Sequence, residues 1–378
     1  MKKKPPVRQP LPYILLFSGL IALAFIAYGN TFNVPFVFDD LLTIQRNTGV
    51  RFGEYNWNLL SGRSLLYLTF TLNYIWTAQE VWSYHLVNLA IHTLNGLGVF
   101  MLGMHIFRRI GQEEEAARMY ATFAAAFFLV HPVQTESVTY ISSRSELLSG
   151  LFFIAGFLVY TVWPWRKGFL LGLAVAVPFL AGMLSKETVI ALPVALVAYE
   201  LVFSGGLRHA WRFFTMFGIG AAYVGYWLVT GPIRFSVGVN LAGHLSSWHY
   251  FLTQTRVLGK YLRLVFWPVN LNLDYDFQPS MYIDTWVLVF ASLHVGLLIA
   301  GWLMRKRHPV FAFSIFWFYI CLAPTSSFLP ILDVIFEHRM YIAMVGMALA
   351  FPLLCDLVVQ QTRKGWYRCV TALPSRSL

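Results

Sequence analysis

Two adjacent carboxylates, Asp39 and Asp40, close the segment FVFDD a short way beyond the first apolar run of the chain. Neighbouring carboxylates repel, so their proton affinities separate unless a cation or hydroxyl stands between them. One then suits a general base, while the other orients a substrate or holds a divalent metal. A turn or a helix cap is the structural alternative for such a pair. Cationic candidates lie far away along the chain. Arg144, in HPVQTESVTYISSRSELLSG, offers a planar fork that fits two phosphate oxygens or a neighbouring glutamate. His131 and Glu136 belong to the same segment, and Glu136 shares a helical face with Tyr140. Lys186 sits in the tight turn SKE, where it binds an anion or merely snorkels. Arg256, Lys260 and Arg263 form one basic edge suited to an anionic head group or to membrane phosphates in general. Glu337, His338 and Arg339 crowd together in FEHRMY. Three charged or polar groups at the mouth of an apolar segment are expensive, and snorkelling of Arg339 explains one of them.

The elements that position these groups are membrane helices. Of the 378 residues 58% are hydrophobic and 12% charged, with a mean hydropathy of +0.61. A soluble domain carries roughly a quarter charged residues. Continuous apolar runs predict an all-α, polytopic bundle of about ten spans, near 11–28, 84–107, 116–130, 147–163, 168–184, 188–203, 213–230, 284–304, 309–322 and 340–359. The basic start MKKKPPVR reads as the cytoplasmic flank of an uncleaved first span, and most of the 28 Lys and Arg then fall on the cytoplasmic side. The net charge of +11 follows from this topology; no basic run interleaved with stacking aromatics points to nucleic acid. RSLLYLTFTLNYIW (63–76) and YFLTQTRVLGKYLRLVFW (250–267) read as amphipathic helices lying in two long outer loops. Along the second span His85, Asn88, His92 and Asn95 share one stripe. Facing lipid they would be costly, so Asn88, His92 and Asn95 are expected to hydrogen-bond between helices, while His85, at the outer end, has access to a substrate. Residues 1–361 form one membrane domain, followed by a short basic cytoplasmic tail, 362–378.

FVFDD, the Arg63-led RSLLYLTFTLNY, YHLVNLAIH, HPVQTESVTYISSRSELL, SKE, YLRLVFWPVNLNLDYDF and FEHRMY occur in this order over nearly the whole chain. Together they resemble the transmembrane and tetratricopeptide-repeat O-mannosyltransferases and their bacterial relatives, within the GT-C glycosyltransferase superfamily. The resemblance implies an inverting transferase that takes a sugar, favourably a mannose-like hexose, from a polyprenyl-phosphate carrier to an acceptor hydroxyl on protein or glycan. It implies action at the periplasmic or lumenal face, with a bacterial inner membrane expected first and endoplasmic reticulum second. Carried over by the resemblance, Asp39 is the general base with Asp40 beside it. Arg144, Lys186, His338, Arg339, Arg256 and Arg263 are donor-phosphate ligands, and Arg63, His85, His131, Glu136 and Glu337 support the site. No cofactor is required, though Asp39 and Asp40 would hold a divalent metal if one takes part. The chain departs from the family at Ser64, where proline often follows the arginine, and no tetratricopeptide-repeat domain is expected in it. The competing classes are a lipid-saccharide flippase or secondary transporter, and a ligase using a lipid-diphosphate oligosaccharide.

Overall fold

The computed structural model describes residues 13–53, 63–162, 169–206, 245–331 and 333–371, with the isolated positions 218, 222 and 225. Every regular element among the described residues is helical. This lets each segment satisfy its own backbone groups where water is absent. The α-helices are α1 (Tyr13–Tyr28), α2 (Thr48–Phe52), α3 (Ser64–Thr77), α4 (Val81–Arg109), α5 (Glu114–Val130), α6 (Thr135–Thr139), α7 (Arg144–Val162), α8 (Phe169–Met183), α9 (Leu192–Phe203), α10 (Ser247–Phe266), α11 (Thr285–Met304), α12 (Pro309–Leu322) and α13 (Ala343–Thr371).

By length and composition, five helices can cross a membrane: Tyr13–Thr31, Val81–Arg109, Ile141–Val162, Thr285–Met304 and Ala343–Thr362. A sixth candidate joins α5 to Pro132–Thr139 across a bend of 51°. Against about ten expected, the shortfall is one of helix length. At a rise of about 1.5 Å per residue, α8, α9 and α12, with 15, 12 and 14 residues, are each shorter than a hydrocarbon core of roughly 30 Å. The expected span at 213–230 lies outside the described residues.

Packing follows residue size. Ala117, Ala121, Ala124 and Ala125 line the buried side of α5, and Gly103 of α4 comes so close that a Cβ there would lie 3.1 Å from the Ala121 Cα. Small residues allow backbones to approach in this way where no hydrophobic effect drives helix association. The outward side of α11 is the opposite case, with Trp286, Leu288, Val295, Ile299 and Leu303 exposed, as suits a helix solvated by lipid. Both segments expected to be amphipathic are helical, as α3 and α10. α10 buries Tyr250, Leu252, Val257, Tyr261 and Leu264 and exposes Trp248 and Phe266.

The polar stripe of α4 binds its neighbours. The Asn88 amide donates to the carbonyls of Val138 and Ile141, both at 3.4 Å. His92 bonds the Tyr341 hydroxyl at 2.8 Å and the Leu129 carbonyl at 3.0 Å. Asn95 donates to that same hydroxyl and to the Leu147 carbonyl, both at 2.9 Å. Tyr341 is thus the knot joining α4, α5, α7 and the start of α13. Tyr341→Phe removes one hydroxyl and leaves two buried polar groups short of a partner. Thermal unfolding in detergent is expected to show a loss of about 1–3 kcal/mol.

Candidate active site

The connections between helices at one end of the bundle enclose a cavity of about 510 Å³. Phe38 and Asp39 reach it from the loop after α1, Arg63 from the start of α3, and Tyr140 from the link between α6 and α7. Lys186, Glu187 and Thr188 come from the turn after α8, Asp274 from the segment after α10, and Asp333, Phe336, His338 and Arg339 from the segment before α13. Met183, Ile190, Leu273, Leu329 and Ile331 supply an apolar wall. Two of the lining residues, Phe38 (φ 47°) and Arg63 (φ 63°), hold left-handed backbone without being glycine. Such strain is rare outside sites whose surroundings enforce it.

The two adjacent aspartates part company here. Asp39 is exposed and lines the cavity; its N–H donates to the Tyr140 hydroxyl at 3.0 Å, and its carbonyl accepts from the Thr43 hydroxyl at 2.7 Å. Asp40 is buried, and its carboxylate accepts from the Ser142 N–H at 2.7 Å, the Ser142 hydroxyl at 2.5 Å and the Val37 N–H at 3.2 Å. Burial raises the Asp40 carboxyl above the usual carboxylate range, against the opposing effect of the Ser142 bonds. Asp40 therefore fastens the loop after α1 to the α6–α7 link. Asp39 lines the cavity whereas Asp40 is buried outside its lining, so the two carboxylates do not open onto one common site for a shared divalent cation. Among the described residues no group of three or more His, Cys, Asp or Glu side chains is placed to hold a metal.

Lys186, Arg63 and His338 are held by acids in the cavity, and Arg339 by backbone carbonyls. Lys186, buried, donates to Glu146 at 2.5 Å. Burial lowers its amine below the usual value, partly offset by Glu146. Arg63 pairs with Glu187 at 3.3 Å. Burial opposes ionisation of Glu187, but the Arg63 guanidinium, a backbone N–H and Lys186 together outweigh it and the carboxyl lies below its usual value. Arg339 donates to the carbonyls of Asp333 at 2.7 Å and Val334 at 3.4 Å. His338 is bonded through Nδ1 to Glu136, whose other oxygen accepts the His338 N–H at 3.0 Å.

Of the residues singled out in the sequence, Asp39, Arg63, Lys186, His338 and Arg339 meet in this one cavity, with Glu136 directly behind His338. The others stand elsewhere. Arg144 is fully buried, with its guanidinium on Asn88, Thr69 and Tyr84, and does not line the cavity. His85 bonds the Val34 carbonyl at 2.9 Å and is closed to substrate. His131 bonds the Val265 carbonyl at 3.0 Å and accepts from the Val133 N–H. Arg256 donates to the Ser280 hydroxyl and lies over the Phe277 ring, and Arg263 donates to the Val269 carbonyl. Neither lines the cavity, so the basic edge of α10 braces the segment that follows it. Glu337 accepts from the Asn272 N–H and the Tyr275 hydroxyl, clamping that segment to the last turn before α13.

Glu146, Glu187, Tyr140 and Asp333 carry no assigned role in the sequence reading. Glu146 had a signal, since a carboxylate at the start of an apolar run needs a cation. Asp333 had none.

The chain is 26% identical over 314 residues to the protein O-mannosyl-transferase tmtc2 of Xenopus laevis, covering 70% of this chain and 35% of that protein. It is 31% identical over 239 residues to the protein O-mannosyl-transferase Tmtc3 of Drosophila melanogaster, covering 53% and 25%. The chain resembles the protein O-mannosyl-transferases. With the protein O-mannosyl-transferase F38B6.6 of Caenorhabditis elegans the likeness runs over 370 residues at 27% identity, 90% of this chain and 51% of that protein. The resemblance drawn from the seven motifs is thus borne out. The chain spans about half the length, or less, of these relatives. No family model matches it, and no solved structure does.

Proposed function

We propose that this chain is an inverting glycosyltransferase that moves a mannose-like hexose from a polyprenyl-phosphate carrier to a Ser or Thr hydroxyl of a protein, at the periplasmic or lumenal face of a membrane. The carrying observation is the shared cavity, in which the exposed carboxylate of Asp39, with Asp274 and Asp333 also in the lining, meets Lys186, Arg63, His338 and Arg339 beside an apolar wall. An alcohol is a weak nucleophile, and a carboxylate within about 3 Å removes its proton as the new bond forms. Opposite it, negative charge grows on the departing phosphate, and fixed cations and N–H donors stabilise that charge more than they stabilise the bound donor. Lys186 and Arg339 are assigned to the phosphate. Arg63, paired at a long 3.3 Å, can exchange Glu187 for a phosphate oxygen. The apolar wall leaves a path for the isoprenoid to remain in lipid. In this reading α8, α9 and α12 cross the bilayer as short or broken spans, bringing the count among the described residues to nine, and α3 and α10 lie at the outer interface.

Purified protein supplied with a polyprenyl-monophosphate mannose and a Ser/Thr peptide is expected to glycosylate the peptide with inversion at the anomeric carbon, read by NMR of the glycopeptide. Transfer from a lipid-diphosphate sugar in preference would replace the donor assignment. Lipid-sugar translocation in vesicles without any transfer would replace the enzyme by a flippase. Within the same assay Arg339→Gln is expected to raise the donor KM roughly 10- to 100-fold, the loss of one charge-assisted hydrogen bond.

A further inference from the structure

His338 differs from the guanidinium candidates Arg63 and Arg339 in being able to give a proton away, and from Lys186 in having a carboxyl partner, Glu136, that can resupply one through the far side of its ring. Its ring is fixed from three sides: Nδ1 is bonded to Glu136 Oε1, its backbone N–H donates to Glu136 Oε2 at 3.0 Å, and Phe336 stacks on it with ring centres 4.8 Å apart. With Nδ1 committed to Glu136, the proton state of the pair is expressed at the opposite edge of the ring, at Nε2, and His338 lines the cavity. Nε2 lies 4.0 Å from Glu146 Oε1, which is itself neutralised by Lys186 at 2.5 Å.

The tautomers decide what Nε2 can do. If the pair carries an extra proton, either Glu136 is neutral and donates to Nδ1, or the ring is an imidazolium facing a carboxylate. Nε2 bears a hydrogen in both cases. If the extra proton is gone, Nδ1–H donates to the Glu136 carboxylate and Nε2 is a lone pair. We propose that Glu136 and His338 share one exchangeable proton, and that His338 Nε2 delivers it to the phosphate oxygen as that oxygen leaves the sugar.

The step rests on the donor assignment made above and balances as follows. The acceptor oxygen bonds to the anomeric carbon, and its hydroxyl proton passes to Asp39. The bond from that carbon to the phosphate oxygen breaks with its electron pair on oxygen, which takes the proton from Nε2. Nδ1 keeps or receives the proton shared with Glu136, leaving a neutral imidazole against a carboxylate, and water restores the pair. The second ionisation of a phosphate monoester lies near 6. Burial pushes the Glu136 carboxyl up to about 7, against the lowering effect of the His338 and Glu337 N–H groups and of Lys186 and Arg339. Burial thus keeps a proton on the pair toward neutral pH, where a general acid is of use to the departing phosphate. Burial holds the imidazole well below its usual value, reinforced by Lys186, Arg339 and Arg63 and opposed by Glu146. The groups that set the pair's protonation thus come from the α3 start, α6, α7, the turn after α8, α10 with Tyr261, the segment after it with Tyr275, and the segment carrying His338 itself, where the Glu337 carboxyl also faces Glu136. Glu136 acts through His338 and is a positioning residue; His338 is the catalytic one.

The test uses the full chain in lipid nanodiscs, with polyprenyl-monophosphate mannose as donor, a Ser/Thr peptide as acceptor, and kcat and donor KM measured from pH 5.5 to 8.5. Wild-type kcat is expected to fall as pH rises through about 7. Glu136→Gln preserves an acceptor for Nδ1–H but holds no proton. It is expected to lose kcat on the order of 10²-fold with donor KM nearly unchanged, and to move the fall to lower pH. Glu136→Asp should restore much of kcat and return the fall toward neutral pH. A folded Glu136→Gln protein with wild-type kcat and an unmoved alkaline fall overturns the relay, as does a change confined to donor KM. If Glu136→Gln does not fold, Glu136→Asp decides, since an unshifted fall with undiminished kcat there overturns the relay equally. A wild-type protein inactive with this donor overturns the donor assignment and the relay together, whereas an active wild type with an indifferent Glu136 variant overturns the relay alone.

Discussion

Asp39→Asn is expected to abolish sugar transfer, with kcat down by roughly 10²–10⁴-fold and the melting curve unchanged. The fold holds this position through its backbone, by the Tyr140 hydroxyl on the N–H and the Thr43 hydroxyl on the carbonyl, and the Tyr140 hydroxyl also bonds the side chain, a contact that an amide oxygen can keep. Asparagine keeps the shape, removes the charge and cannot take up the acceptor's proton. Asp40→Asn should do the reverse. One oxygen of that carboxylate takes two bonds from Ser142 and the other takes one from Val37. An amide can face only one of these sites with an acceptor, so the loop after α1 loosens and the melting temperature falls. Transfer assays paired with melting curves on both variants separate the two roles. Normal turnover by folded Asp39→Asn would remove Asp39 as the base, and an unaltered melt for Asp40→Asn would remove Asp40 as the anchor.

What the sequence made legible is what the solvent dictates. Lipid cannot satisfy a polar group, so the stripe Asn88, His92 and Asn95 had to find partners on neighbouring helices, and it does. Long apolar runs had to be helices, and nine of the ten expected segments coincide with α-helices, at α1, α4, α5, α7, α8, α9, α11, α12 and α13. Their number as spans was less legible, because hydropathy measures composition, whereas crossing depends on unbroken length. The turn SKE followed by Pro193 at the start of α9 shortens an apolar stretch without changing its character. Within the site, the types of residue were readable and their directions were not. Asp39 and Asp40 are adjacent, and the left-handed backbone of Phe38 before them bears on which one faces the cavity. Nothing in FVFDD announces that conformation. Arg144, Arg256 and Arg263 were assigned by the chemistry of their charges. Backbone carbonyls and a serine hydroxyl claim them instead, and such partners leave no mark on a sequence.

Arg144 carries the larger structural prediction. Its fork spans Asn88 Oδ1 at 2.7 Å, the Thr69 carbonyl at 3.2 Å and hydroxyl at 3.4 Å, and the Tyr84 carbonyl at 3.1 Å, with the Phe70 ring 4.6 Å from its centre. One planar cation thereby ties the start of α7 to α3 and α4. A lysine keeps the charge, but its single ammonium cannot reach acceptors spread around a guanidinium. Arg144→Lys is therefore expected to lose about 3–5 kcal/mol of stability, the scale on which a buried charge stripped of its partners destabilises a fold. Arg144→Met, which buries no charge, should lose less. The consequence reaches the chemistry indirectly: Ser142, two residues before Arg144, holds the Asp40 carboxylate, so a displaced α7 start releases the loop that presents Asp39. The expected signature is a lowered unfolding midpoint and a lowered kcat, with the donor KM of the folded fraction close to wild type. A stable Arg144→Lys protein whose only defect is weak donor binding would return Arg144 to the phosphate site and show that this end of the bundle rearranges when the donor enters.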